Sequence, residues 1–119
     1  MIYILFIDTQ RHKEWAKRFE TLSQANLYIE TLTPVSGRQA IQMSWEDIIQ
    51  FIPDLDSDPV LYRLQEIDRY MKGKEIDRHM QEEIEQHAEM LGGVEKVYNI
   101  ALKLLMKKAL ENQKESVKQ

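Results

Sequence analysis

Two histidines and a glutamate stand four residues apart in HMQEEIEQH, residues 79–87: His79, Glu83 and His87. Imidazole and carboxylate are the ligands that zinc accepts, and a small metal-assisted hydrolase is one chemistry such residues suggest. The spacing argues against it. On a helix rising 1.5 Å per residue, ligands at i, i+4 and i+8 extend over about 12 Å of axis, whereas metal–ligand distances are about 2 Å. At best Glu83 and one histidine converge on an ion, with help from His12 or an acid of the segment 54–58. The expectation is therefore the flank of a helix and no metal or cofactor.

A second cluster is DLDSD, where Asp54, Asp56 and Asp58 alternate as at the start of a calcium loop. The twelfth position counted from Asp54 is Gln65 rather than glutamate, and the central glycine is missing, which excludes an EF-hand. Capping of the next helix by Ser57 or Asp58, with Pro59 in its first turn, is the simpler use. Neither a glycine-rich phosphate loop nor a GxSxG or HExxH motif occurs. No catalytic residue is assigned.

Tyr3, Phe6, Trp15 and Phe19 lie near Arg11, Lys13, Lys17 and Arg18. Aromatics and cations on a sheet would suit single-stranded nucleic acid, provided that the rings are exposed. The same pattern describes a sheet with a buried face, which is the expectation here. Small nucleic-acid binding remains the alternative function, and exposure of Trp15 discriminates.

Charge sharpens the choice between function classes. The net charge is −4, but residues 1–45 carry five Lys/Arg against four Asp/Glu, residues 46–89 five against thirteen, and residues 90–119 six against three. An acidic middle opposes duplex binding, which needs clustered cations, and suits either a solvated helical face or a basic protein partner. The acids that would present this surface are Asp54, Asp56, Asp58, Glu82, Glu85 and Glu89. The chain has no cysteine, so disulfides and thiolate metal sites are absent and a reducing, cytoplasmic location is expected. The apolar opening MIYILFI meets Asp8, too short for a membrane span or a secretory leader.

The elements that must position these residues follow from period and punctuation. IYILFID is apolar on both faces up to Asp8, as expected of a central strand covered on both sides. EWAKRFE pairs back on it as a hairpin, and RQAIQMS supplies a third short strand. Between them TLSQANLYIETL reads as a helix capped by Thr21 or Ser23. Ser44 with Asp47 has capping-box spacing for a helix over 45–52. Beyond Asp58 the chain is expected to be helical in three pieces, about 59–72, 74–91 and 94–112, separated by Gly73 and by Gly92-Gly93.

Helix 94–112 is apolar around most of its circumference, and a short chain has few elements with which to cover it. Ile100, Leu102, Leu104 and Met106 are therefore expected at an interface with a partner or a second copy. The competing expectation is coverage by the N-terminal sheet. Together these features predict a single α+β domain over 1–119: an α/β part (1–56), a helical part (57–112) and a frayed tail (113–119). The predicted function is a non-catalytic interaction or regulatory protein, an adaptor or inhibitor.

Overall fold

A computed structural model describes residues 1–117. Three strands form the N-terminal sheet: β1 (Ile2–Asp8), β2 (Lys13–Phe19) and β3 (Arg38–Met43). Both β2 and β3 pair antiparallel with β1, giving the order β2-β1-β3, so β1 is central as its unbroken apolar run requires.

Each face of the sheet has its own cover. On one side Ile4, Phe6 and Phe19 pack with Ala25, Tyr28 and Leu32 of α1 (Leu22–Thr31) and the turn after it. Thr21 starts α1 by accepting a hydrogen bond from the Gln24 amide. On the other side Tyr3, Leu5, Ala16 and Met43 join the main core with the remaining helices. The fold is α+β, with sheet first and helices after.

Local chemistry sets the helix starts. α2 (Trp45–Gln50) carries the full capping box: the Asp47 amide donates to the Ser44 hydroxyl and the Ser44 amide donates back to the Asp47 carboxylate. α3 (Pro59–Met71) begins with Pro59 in its first turn, and Asp58 accepts from the Leu61 amide. α4 (Arg78–Leu91) starts four residues later than its apolar stripe suggests, because Asp77 caps it by accepting from Met80. Ile76 lies before the helix and still packs on the core. At its far end Gly92 adopts φ 88, a left-handed conformation that costs glycine little, and its amide closes the helix on the Ala88 carbonyl.

α5 (Val94–Val117) is the common support. It packs on α2, α3, α4, β1 and β2, while α3 and α4 make little contact with each other. Val97, Tyr98, Ala101, Leu102, Leu105, Met106 and Ala109 are all buried. The sheet and three helices thus cover most of α5, and Leu102 and Met106, expected at an interface, are wholly enclosed core residues. Of the tail expected over 113–119, residues 113–117 are drawn as the end of α5, and residues 118 and 119 lie outside the described residues.

Candidate interaction groove

The histidine–glutamate set is claimed by an arginine. Arg63 of α3 donates from Nη1 to Glu83 Oε1 at 2.5 Å and from Nη2 to His87 Nδ1 at 2.8 Å. A guanidinium has donors only, so in this contact Nδ1 is the acceptor. The hydrogen bond and charge of Arg63 hold the Glu83 carboxyl below its ordinary value. His79 is exposed one turn away. Among the described residues no three His, Asp or Glu side chains converge as a metal site would require.

Beside this pair opens a groove of about 450 Å³, where α3 and α4 part over α5. Val97, Ala101, Ile100 and Leu104 contribute from α5, Pro59 and Val60 from the start of α3, and Met90 and Leu91 from the end of α4; Arg63 and His87 complete the lining. The floor is low because Ala101 offers only a methyl group. Met90 is 76% exposed, Leu104 49% and Ile100 43%, so three large apolar side chains stand in water around one depression. At about 100° per residue, Ile100 and Leu104 fall on the sector of α5 opposite Leu102 and Leu105. Of the four apolar residues expected at the interface on α5, these two are the exposed ones.

The acidic residues divide into three situations. Asp58 is buried, ion-paired with Lys108 of α5, and unavailable to a partner. Burial raises its carboxyl pKa, but the Lys108 ammonium and the Leu61 amide outweigh that and hold it below the ordinary value. Glu82 pairs with the exposed Arg78, and Glu85 accepts from the Tyr70 hydroxyl and the Gln81 amide. Asp54, Asp56 and Glu89 are exposed, and among the described residues none of the three has an ion-pair partner. No hydrogen bond or ion pair joins the 54–58 segment to α4 among the described residues.

Of the N-terminal aromatics three are buried and Trp15 is half-buried, packed against the others. Trp15 stacks on Phe6 with ring centroids 5.0 Å apart, Arg38 lies 5.7 Å from its centroid, and its Nε1 donates to the Tyr28 hydroxyl at 3.0 Å. Phe6, Phe19 and Tyr3 are buried. Of the nearby cations, Arg11 bonds Asp8 and Lys17 sits 4.4 Å over the Tyr28 ring.

One ionic cluster escapes notice in the sequence. Arg18 donates to Asp68 at 3.1 Å, approaches Glu95 at 3.6 Å and lies 3.8 Å over the ring of Tyr98. Lys72 bonds the other Asp68 oxygen at 2.8 Å. Burial raises the Asp68 carboxyl, and Lys72 and Arg18 outweigh it and lower it; burial drives the Tyr98 phenol well above its ordinary value. The signal available was Asp68 itself, a charge on the apolar side of α3 that required a partner. For the groove, Met90 and Leu91 at the end of α4 are apolar residues that the reading of α5 alone leaves out.

No protein-family model, curated protein or solved structure matches this chain.

Proposed function

We propose that the chain is a non-catalytic interaction protein, an adaptor or inhibitor, whose working surface is the groove between α3, α4 and α5. The observation that carries this reading is the gathering of Met90, Ile100 and Leu104 in water around one apolar depression. Contiguous apolar surface of this kind marks association sites, and a groove between helices accepts the apolar face of another element. Of the polar groups that approach it, Arg63 is held within the chain by its bonds to Glu83 and to Nδ1 of His87.

The acids on the outer side of α4, with Asp54 and Asp56, form the second part of the proposal. Glu89 and the weakly paired Glu82 would meet a basic surface on a protein partner, with charge setting approach and register more than affinity. A reducing, cytoplasmic setting suits a chain without cysteine. No helix among the described residues is long and apolar enough to cross a membrane.

The test is affinity capture from native cells with wild type, Ile100→Glu and Leu104→Glu in parallel. Both substitutions lie on exposed positions and should leave circular dichroism and thermal unfolding close to wild type. Loss of the same captured proteins from both folded variants supports the groove. Identical capture by all three removes it as the working surface.

A further inference from the structure

We propose that the groove is filled by a second copy of this chain, in a two-fold symmetric dimer; this rests on the docking reading above and names its occupant. The argument is the order of charge across the patch. With Ile100 as zero, Val97 and Ala101 fall at about +60° and +100° on α5, towards the groove floor, while Lys96 and Lys103 fall at about −40° and −60° on its far side. On α4, taking the buried Ile84 as zero, Met90 falls at about −120° on the groove side, and Glu89 and Glu82 at about 140° and 160° on the outward crest beyond it.

A section across the patch therefore runs basic, apolar, acidic. Among the described residues Lys96, Lys103 and Glu89 have no ion-pair partner, and the one partner of Glu82 is Arg78, whose side chain is 92% exposed. A symmetric interface brings the same surface of both subunits together, so the surface must be complementary to itself. A border of one sign would repel its own copy. Here rotation by a two-fold axis along the groove lays the lysine border of one copy on the glutamate border of the other, while Ile100, Leu104 and Met90 meet apolar surface at the centre.

The experiment is sedimentation equilibrium of the full chain from low micromolar to several hundred micromolar. Wild type should reach twice 14.2 kDa. Ile100→Glu, with native circular dichroism, should weaken association by about 100-fold, because a charge replaces buried apolar surface at a contact that symmetry doubles. Lys96→Glu and Glu89→Lys lie at exposed positions and do not threaten the fold. Each should weaken the dimer about tenfold, and the two together should restore it, since exchanging one charge on each border recreates the match between them.

A wild type that stays monomeric over the whole range overturns the proposal. So does a dimer indifferent to Ile100→Glu, or one that the double reversal fails to restore. If the chain is monomeric and Ile100→Glu still abolishes capture of another protein, the second copy is wrong and the docking surface stands. If neither mass nor capture responds to the groove variants, both fall.

Discussion

The central strand and the long helix have similar sequences in one respect: each is apolar in nearly every direction. β1 has both faces covered, by α1 on one side and by α2, α3 and α5 on the other, and both edges paired. α5 is enclosed by the sheet and by three helices, yet the strip bearing Ile100 and Leu104 remains open because α3 and α4 diverge above it. Excess apolar surface thus has two different outcomes in one small molecule. In the sheet it is interior, and on α5 a part of it is left for association.

The largest effect should come from exchanging those two roles. Leu102→Ala removes a wholly buried side chain and should destabilise the fold by about 3–5 kcal/mol, whereas Ile100→Ala should change it by about 0.5 kcal/mol or less in dilute solution. Urea denaturation at low micromolar concentration measures both. Similar costs at the two positions would erase the distinction between core and open strip.

Acid should loosen the closed part next. Burial raises the Asp8 carboxyl, and Arg11 and Arg38 outweigh it; Asp8, Asp58, Asp68 and Glu83 are all held below their ordinary values. The unfolded chain therefore takes up these protons at higher pH than the folded one. Their stabilisation is complete above the unfolded values, 3.8 for Asp and 4.5 for Glu, and is lost as pH falls through the lower folded ones. Unfolding free energy followed from pH 7 to pH 3 should be flat and then fall; a rise towards acid would contradict these ion pairs.

A single member of that set gives a smaller change. Asp58→Ala removes the cap of α3 and leaves Lys108 without its buried partner, at a cost of about 2 kcal/mol. Asp58→Asn keeps the capping oxygen and should recover part of the loss. Smallest is Tyr28→Phe, which deletes the hydroxyl that receives the Trp15 indole hydrogen and should cost about 1 kcal/mol. In a Trp45→Phe background, Trp15 emission that does not shift on Tyr28→Phe would show that the stack on Phe6, rather than the hydrogen bond, sets the environment of the ring.

What could be read from the sequence was what depends on near neighbours. Thr21, Ser44 and Asp58 announce helix starts because their side chains bond amides three residues on, and the apolar run of β1 announces two covers. The start of α4 is hidden in the sequence because Ile76 continues the apolar period, although Asp77 ends the loop by capping. The open strip was legible only as a surplus. Whether Leu102 or Ile100 faces water depends on where α3 and α4 lie, and nothing within α5 records that. The Arg63 fork to Glu83 and His87 joins residues 20 and 24 positions apart, beyond the reach of spacing arguments.

The central place of α5 also has a consequence for the order in which the molecule can be completed. Synthesis delivers the sheet and the first helices well before residues 94–109, yet those residues supply the surface on which β1, β2, α2, α3 and α4 all rest. Until they leave the ribosome, Leu5, Ala16, Leu64 and Ile84 have no common partner, and the nascent chain carries its apolar faces uncovered. The main core then closes late and at once, which makes the interval before it closes the time when the chain is most exposed to aggregation and to chaperones.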